Sequence, residues 1–385
     1  MVKLKSLSQR ASTMPRSAIR EIMALAAGRD DVIHLEVGEP DFTTPSHIVE
    51  GACEALRQGW TKYTPNVGLP TLRHLVAERM SERTQKAIDS DRVAITVGAV
   101  GALYTALGMI ADAGDEVLIP DPGWPPYFAM CHAMGVRTSL YTLRGDTGYL
   151  PNFDEIEAMI GPDTKAIILN TPGNPTGAVF DRATVERFVR IAEQNGLYLI
   201  SDEIYEDIVF DGEHVSCANF GLDDRVFVVS GVSKSYAMTG WRIGFLLCPP
   251  DTIHLASVIQ EPTVSCAPAV SQKAAEIALS GPQECVAEGR EIFRRRRDIV
   301  TQVLGDAGLL AMVPQGAFYA LVRIHDRHAD STAFAKALLQ EQGVATVPGL
   351  TFGPSCDDTV RIAFTASDAD LRDGVERLRD YILGG

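Results

Sequence analysis

Short runs of β-branched and other apolar residues alternate with longer segments of helical periodicity through most of the chain. The runs that predict buried strands lie at residues 93–96, 116–120, 166–170, 197–201, 226–230 and 243–248. Residues 184–195 predict a helix with one apolar face, since Asp181 can cap its start and Gly196 follows its end. Residues 72–83 predict another helix, with Pro70 in its first turn.

Alternating strands and helices of this kind predict an α/β fold, in which a mostly parallel sheet is flanked by helices on both faces. In such sheets, ligands bind in the crevice beyond the carboxyl ends of the strands. The residues that directly follow the predicted strands are therefore the first place to look for chemistry.

The pattern changes after about residue 280, where a long charged segment at 286–304 predicts a helix. A hairpin-like stretch at 316–324, a helix at 332–342, a strand at 359–365 and a terminal helix follow. We interpret this region as a smaller α+β domain. The predicted organisation is an N-terminal segment (1–44) that packs with the small domain, a large domain (45–280) and the small C-terminal domain (281–385).

Composition and charge narrow the class of protein. The chain has 385 residues and a net charge of −15, with 46% hydrophobic and 22% charged residues, which is typical of a globular protein. The acidic balance disfavours nucleic-acid and anionic membrane partners, because both need clustered positive charge. The arginine run at 294–297 is interpreted as a solvated helix face, since acidic residues flank it.

Three features of the sequence predict the cellular location: its apolar runs, its N-terminus and its cysteines. No apolar run reaches the length of a membrane span, and no apolar stretch follows the basic N-terminal residues as in a secretory signal. The seven cysteines are scattered and include no C-x-x-C pair. We therefore expect reduced thiols in a cytoplasm and no metal site.

Polar residues follow three of the predicted strands. Asn174 follows the third strand, Asp202 and Tyr205 follow the fourth, and Lys234 and Arg242 follow the fifth. Taken singly, each has an ordinary interpretation, as a turn residue, the start of a helix or a solvated lysine. Together they place an amide, an acid, a phenol, an amine and a guanidinium where one crevice would collect them.

The same ordered set, completed by Arg361, resembles the fold-type I, class I and II aminotransferases, such as aspartate aminotransferase, which use pyridoxal 5′-phosphate. The resemblance covers nearly the whole chain, from residues 38–42 (GEPDF) to 361–364 (RIAF). Its most specific part is Ser233-Lys234 with Arg242 eight residues later. It implies the large and small domains of that fold type, and an amino acid and a 2-oxo acid as substrates.

The resemblance assigns five residues to the cofactor ring. Lys234 holds the cofactor as an imine and acts as the base once it is released, and Asp202 keeps the pyridine nitrogen protonated. Asn174 and Tyr205 bond the phenolic oxygen of the ring, and Trp124 stacks on its face. Outside the resemblance, Asn174 can be a turn residue, and Tyr205 and Trp124 can be ordinary packed aromatics.

The resemblance places the cofactor phosphate at the glycine turn of residues 97–102, which follows a predicted strand and opens a helix. Ala99 and Val100 contribute mainly backbone there, and the Ser233 hydroxyl and the Arg242 guanidinium complete the set of donors. The alternative role for Arg242 is a surface ion pair.

The implied substrate site consists of Gly38, Trp124, Asn174 and Arg361. Arg361 pairs with the α-carboxylate of the substrate through two hydrogen bonds, and Gly38 lets the backbone approach the same group. The alternative for Arg361 is a charge on an edge strand. Tyr63 resembles the tyrosine that reaches the cofactor phosphate of the other subunit, which implies a homodimer.

The implied function is transfer of an amino group from an L-amino acid to a 2-oxo acid, in two half-reactions with ping-pong kinetics. The donor is unresolved, because certain aspartate-using relatives have a lysine at the position of Val100. Arg16 or Arg20 could substitute for that lysine. Aspartate, alanine and aromatic amino acids therefore all stay open as donors.

Two other functions are compatible with the same scaffold. A carbon–sulfur β-lyase shares the lysine and the ring contacts, although residues 238–242 (MTGWR) favour a transaminase. A catalytically silent, cofactor-binding regulator keeps the fold, although such proteins carry a DNA-binding extension for which the chain before Gly38 leaves no room.

Overall fold

The computed structural model describes residues 4–14, 18–221, 225–324 and 330–384. Its α-helices are Gln9–Ser12 (α1), Ala18–Ala26 (α2), Ser46–Arg57 (α3), Pro70–Thr84 (α4), Gly98–Ile110 (α5), Pro126–Met134 (α6), Phe153–Met159 (α7), Arg182–Gln194 (α8), Ala218–Gly221 (α9), Ile253–Thr263 (α10), Ala269–Ser280 (α11), Glu284–Val300 (α12), Ser331–Gln342 (α13) and Asp368–Leu383 (α14). Within these ranges, no helix has the length and apolar character that crossing a bilayer requires. Arg16 lies outside the described residues.

Seven of the strands form one central sheet. The strands of the chain are Ile33–His34 (β1), Val93–Val97 (β2), Glu116–Asp121 (β3), Arg137–Thr142 (β4), Thr164–Asn170 (β5), Tyr198–Asp202 (β6), Val226–Gly231 (β7), Ile243–Leu247 (β8), Tyr319–Arg323 (β9), Val344–Ala345 (β10), Val347–Pro348 (β11) and Thr359–Ala363 (β12). The sheet has the order β2-β8-β7-β6-β5-β3-β4. β8 runs antiparallel to β2 and β7, and the other neighbours are parallel. The predicted mostly parallel α/β sheet is therefore confirmed.

Strand β4 is absent from the predicted set. It lies at the edge of the sheet and has the sequence RTSLYT, with most of its residues exposed or half-buried. An edge strand contacts a single neighbouring strand and needs no continuous apolar run, so the apolar pattern gave no signal for it.

Side chains alternate between the two faces of the central sheet. In β5, Ile167 and Leu169 lie in one buried cluster with residues of α3, α4, α8 and α11. Ala166 and Ile168 lie in another cluster, with residues of α5, α6 and α10. The two-residue period of a strand therefore gives each face its own set of helices, as the continuous apolar strands predict.

A third buried cluster surrounds the small antiparallel sheet β11-β12-β9 and includes residues of α2, α12, α13 and α14. The N-terminal strand β1 pairs with β10, so residues from both ends of the chain meet here. The predicted hairpin at residues 316–324 is wrong, because β9 pairs with β12. The apolar pattern identifies a strand but not its partner, which lies about forty residues further along the chain.

Local signals at helix ends are confirmed. The Asp181 side chain accepts a hydrogen bond from the Thr184 amide at 2.8 Å, which caps α8, and Pro70 occupies the first turn of α4. Both helices begin about two residues before the predicted start, because the apolar period marks the packed turns and not the cap.

The interpretation of the arginine run as a solvated face is wrong for two of its four residues, since Arg295 is exposed and Arg294 half-buried, whereas Arg296 and Arg297 are buried. Arg296 is 5% exposed and its guanidinium pairs with Asp41 at 2.7 Å, while Arg297 is 8% exposed and pairs with Asp211 at 2.6 Å. These arginines connect α12 to loops that are distant in sequence. The sequence shows their acidic neighbours on the helix but not their partners on other elements.

Candidate active site

A cavity of about 440 Å³ lies beyond the carboxyl ends of β5, β6 and β7. It is lined by every predicted site residue except Tyr63, namely Gly38, Ala99, Val100, Trp124, Asn174, Asp202, Tyr205, Ser233, Lys234, Arg242 and Arg361. The structure thus brings together residues from the N-terminal segment, the loops of the central sheet and the small antiparallel sheet. Their individual roles stay predictions.

Lys234 lies in the loop after β7, and its Nζ donates a hydrogen bond to the backbone oxygen of Gly38 at 2.8 Å. Burial lowers the pKa of the Lys234 amine to about 8. Among the nearby charges, Glu39 raises that pKa, whereas Arg361 and Arg242 lower it. An amine with this pKa is partly neutral near neutral pH, and it can therefore act as a nucleophile or a base.

Asp202 is the last residue of β6 and is 3% exposed. Its Oδ2 accepts a hydrogen bond from the Tyr127 hydroxyl at 2.7 Å, and its Oδ1 accepts one from the Ile204 amide at 3.3 Å. Burial raises the pKa of this carboxyl to about 6, against the lowering effect of the Tyr127 bond. A cation beside Asp202 would lower the pKa again, so the position suits a protonated ring nitrogen.

One end of the cavity has the donors of an anion site. Helix α5 begins at Gly98 with a positive φ of 69°, and a Cβ there would lie 2.5 Å from the Arg242 guanidinium. Strand β8, which pairs with β2, approaches so closely that a Cβ on Gly244 would clash with the Gly98 backbone. Backbone N–H groups at the start of α5, the Arg242 fork and the buried Ser233 hydroxyl therefore meet where a phosphate dianion would bind.

Arg361 is 2% exposed at the other end of the cavity. Its guanidinium donates to the Asn174 side-chain oxygen at 3.4 Å and to the Glu36 backbone oxygen, and its Nε has no partner in the described chain. Burial lowers the pKa of Arg361. A buried guanidinium with an unused donor is suited to bind a carboxylate through two hydrogen bonds.

Tyr63 is 91% exposed and lies outside the cavity. Its predicted role needs the site of a second chain, so this residue stays a prediction. Val100 is also well exposed, at 41%, but it does line the mouth of the cavity.

Two tyrosines that line the cavity, Tyr127 and Tyr319, are not among the predicted site residues. Tyr127, in the first turn of α6, bonds Asp202, and its ring meets that of Trp124 edge-on with centroids 5.4 Å apart. Its position three residues after Trp124, next to two prolines, was the available signal. Tyr319 on β9 lies 2.9 Å, oxygen to oxygen, from Tyr205. The pairing of β9 with β12 brings it to the site, and the predicted hairpin concealed that pairing.

Comparison with known proteins gives full-length matches. The chain matches the family model for aminotransferase class I and II over residues 30–378. It is 36% identical to the aspartate/prephenate aminotransferase of Thermus thermophilus, covering 97% of this chain and 98% of that protein. It is also 36% identical to the arginine–pyruvate transaminase of Pseudomonas aeruginosa, over 91% of this chain and 89% of that protein. The structure of Thermus thermophilus aspartate aminotransferase with maleate superposes with a TM-score of 0.93 at 35% identity, covering 98% and 99% of the two chains.

The fold and these matches define a transferase of nitrogenous groups on the fold of the type I pyridoxal-phosphate enzymes. The chain belongs to the class I and II aminotransferase family, whose members use pyridoxal 5′-phosphate, and it catalyses amino-group transfer. Neither a β-lyase nor a silent regulator is favoured by these relatives. Relatives named for aspartate and for arginine match at the same identity, so overall similarity does not identify the donor.

Proposed function

We propose that pyridoxal 5′-phosphate binds in this cavity attached to Lys234, and that the enzyme transfers the amino group of a neutral L-amino acid to a 2-oxo acid. The two half-reactions use one cofactor, so the kinetics are ping-pong. When bound, the cofactor supplies an electron sink for the bond that is broken at the substrate Cα. The observation that carries the proposal is the Lys234 amine, with a pKa of about 8, in one cavity with the buried Asp202 and Arg361.

The residues of the cavity fit the chemical groups of this cofactor. The Asp202 carboxylate holds a proton at the ring nitrogen, and Asn174 and Tyr205 bind the phenolic oxygen. Ala99, Val100, Ser233 and Arg242 bind the phosphate at the start of α5, and Trp124 covers the ring face and excludes water. The cavity therefore offers hydrogen-bond donors to the cofactor phosphate at one end and a carboxylate to the protonated ring nitrogen.

Two side chains act on the substrate. Arg361 binds the α-carboxylate through its fork and so fixes the plane of the amino acid, beside the backbone of Gly38. Once free, the Lys234 Nζ would act as the base that takes the proton from the substrate Cα and holds it for the transfer. Its pKa of about 8 lies near a working pH of 7 to 8, where a base is most efficient.

The assignment of Lys234 is tested by chemical trapping. Borohydride reduction of the loaded enzyme, followed by digestion and mass spectrometry, is expected to label Lys234. Lys234→Ala is expected to lose turnover while retaining weak cofactor binding, whereas the control Lys165→Ala, on an exposed side chain, keeps wild-type activity. A label on another lysine, or normal turnover by Lys234→Ala, contradicts the proposal.

The mouth of the cavity supports a neutral donor. Ile19, Met23 and Val100 line it and offer no charge to a second carboxylate. Arg20 lines the same mouth, which makes aspartate the second candidate. A donor with an apolar side chain gains from contact with the three apolar residues, whereas aspartate depends on Arg20 alone.

A donor panel decides between the two candidates. With 2-oxoglutarate or pyruvate as acceptor, alanine and aromatic donors are expected to give a higher kcat/KM than aspartate. Val100→Lys is expected to raise kcat/KM for aspartate by about tenfold or more, because it adds a partner for the distal carboxylate. The control Val313→Lys, on an exposed residue outside the cavity, leaves the order unchanged. Aspartate as the best wild-type donor, lost in Arg20→Ala, contradicts the neutral assignment.

We propose further that the active unit is a homodimer in which Tyr63 reaches the partner's site, and that the enzyme works in the cytoplasm. The exposure of Tyr63 supports the first point, and the seven unpaired cysteines are compatible with the second. We also propose the division into residues 1–44, 45–280 and 281–385. The pairing of β1 with β10 supports the grouping of the N-terminal segment with the C-terminal domain.

A further inference from the structure

Tyr319 lines the cavity and contacts two of its predicted site residues, Tyr205 and Arg361. Its hydroxyl oxygen lies 2.9 Å from that of Tyr205, and its ring centroid lies 4.5 Å from the Cζ of Arg361. Tyr319 and Arg361 lie on the same face of the small antiparallel sheet, because Tyr319 pairs with Ala363 and Leu321 pairs with Arg361. One side chain thus contacts the residue assigned to the cofactor oxygen and the residue assigned to the substrate carboxylate.

Only one of the two phenols can donate the hydrogen bond between them. Burial raises the pKa of Tyr205 and of Tyr319, so both are neutral at neutral pH. Arg361 lowers the pKa of both phenols, and its Cζ lies 4.5 Å from the ring centroid of Tyr319, so this adjacent cation favours the Tyr319 hydroxyl as the donor. If Tyr319 donates, Tyr205 accepts and keeps its own hydrogen for a group in the cavity.

The ring of Tyr319 supports the Arg361 guanidinium. Phe352 also lies near that group, with its centroid 5.0 Å from Cζ, and the two rings restrict where the guanidinium can move. This matters because the Arg361 Nε has no partner in the described chain and so does not fix the fork by itself. A stacked planar cation keeps its donors aimed in one plane.

Gly38 leaves the space that the Tyr319 hydroxyl occupies. A Cβ on Gly38 would clash with that oxygen, and the Gly38 backbone oxygen accepts the Lys234 hydrogen bond. The absence of a side chain at position 38 therefore allows the Tyr319 hydroxyl and the Lys234 amine to approach the same backbone segment.

We propose that Tyr319 is a positioning residue that couples the two ends of the site, with its hydroxyl orienting Tyr205 and its ring holding the plane of Arg361. The proposal rests on the cofactor and substrate assignments above. It makes separable predictions, because the hydroxyl and the ring can be removed one at a time.

Tyr319→Phe removes the hydroxyl and keeps the ring. In the loaded enzyme without substrate, the pKa of the bound cofactor, read from its visible absorbance, is expected to rise by about half a unit to one unit. The reason is that Tyr205, without the donated bond, stabilises a negative ring oxygen less well. The kcat is expected to fall about threefold to tenfold, with the donor KM unchanged. Tyr149→Phe, a buried tyrosine outside the cavity, is the matched control and changes neither value.

Tyr319→Leu removes the ring as well. It is expected to add a rise of about tenfold in the donor KM, because the guanidinium of Arg361 loses its stacking partner. A donor KM equal to that of Tyr319→Phe would overturn the role of the ring.

The Tyr205→Phe background shows whether the hydroxyl acts through Tyr205. Adding Tyr319→Phe there is expected to cause no further change in the cofactor pKa. A full shift in that background, or no shift in Tyr319→Phe itself, overturns the proposal. If Tyr319→Phe does not fold, Gly38→Ala displaces the same hydroxyl and must give the same rise, and its failure to do so also overturns the proposal.

These results are distinguishable from a failure of the proposed function. A wild-type enzyme that shows no absorbance band trapped at Lys234 defeats the cofactor assignment. A normal band with an unchanged pKa in Tyr319→Phe defeats only the role of Tyr319.

Discussion

The Asp202 carboxylate lies at the floor of the cavity, where burial raises its pKa to about 6. A raised pKa means that the folded empty enzyme binds this proton more tightly than the unfolded chain does. The stabilisation from that proton is complete below the ordinary value of 3.8 and is lost as the pH rises through 6. Above that pH the fold must hold a buried charge, a cost that the cationic ring of the proposed cofactor would offset.

Asp202→Asn is therefore expected to affect stability and activity in opposite directions. In the empty enzyme at pH 8, the free energy of unfolding should rise by about 1–3 kcal/mol, and the gain should vanish below pH 4. In the loaded enzyme, kcat/KM should fall by about a hundredfold or more, because the ring nitrogen loses its anion. Denaturant titration at both pH values and steady-state kinetics check the two effects. Unchanged activity would show that another group holds the ring proton.

At the scale of elements, the segment after β6 is fixed by a buried ion pair. The Glu203 carboxylate contacts the Nε2 of His214 at 3.0 Å and also accepts from the Cys217 amide at 3.0 Å. Burial is the largest single effect and favours the neutral forms. The hydrogen bonds and opposite charges around each group together outweigh it, so the pKa of Glu203 is lowered and that of His214 is raised. The pair thus anchors the segment that begins with Asp202 and carries Tyr205.

His214→Gln is expected to lower the free energy of unfolding by about 3–5 kcal/mol near pH 5.5, because it leaves the buried Glu203 charge without its cation. Because the pKa of His214 is raised, its contribution to the free energy of unfolding is complete below the ordinary pKa of 6.5. That contribution is lost as the pH rises through the folded-state pKa of His214. Because the pKa of Glu203 is lowered, the stabilisation from the pair is also lost at acidic pH, as the pH falls from 4.5 through the folded-state pKa of Glu203. The effect of the substitution should therefore shrink as the pH rises through the raised pKa of His214.

Denaturant titration between pH 4 and pH 9 measures this profile. His74 provides a matched control, because it pairs with Glu78 on the exposed face of α4 at 3.1 Å. His74→Gln should change the free energy of unfolding by less than about 0.5 kcal/mol at every pH. A flat profile for His214→Gln would contradict the assignment of a charged pair.

At the scale of the whole molecule, the site is assembled from segments far apart in the chain. The small antiparallel sheet contributes Arg361 and Tyr319, the N-terminal segment contributes Gly38, and the central sheet contributes Asp202 and Lys234. A site between two sheets can change shape when they move relative to each other, which suits an enzyme that must admit and release two substrates.

The proposed dimer is tested by mixing two defective variants. In a mixed dimer of Tyr63→Ala and Lys234→Ala chains, one site receives both substitutions and the other receives neither. Random pairing is therefore expected to restore about a quarter of the wild-type activity, because half of the dimers carry one intact site of two. Unfolding and refolding the mixture together, followed by an activity assay, provides the measurement. If each chain completes its own site, mixing restores nothing beyond the sum of the two variants.

Several features of this enzyme follow from local sequence. The apolar runs specify the strands of the central sheet other than the polar edge strand, since buried parallel strands need apolar residues on both faces. The Asp181 cap of α8 and the first-turn Pro70 of α4 specify where these helices start, because such signals act over a single turn. The ordered polar residues after the strands indicate the position of the site, because the carboxyl ends of parallel strands lie at one edge.

The remaining features depend on partners that are distant in the chain. The apolar pattern marks β9 as a strand but does not select β12 as its neighbour, and this pairing alone brings Tyr319 beside Arg361. The sequence predicts a solvated position for Arg296 and Arg297 of α12, because their partners Asp41 and Asp211 lie on segments that are distant in the chain. The pKa values of Lys234 and Asp202 likewise arise from burial, which the completed tertiary structure imposes. Short-range order is encoded by neighbouring residues, whereas strand pairing, burial and charge environment exist only once distant segments have packed together.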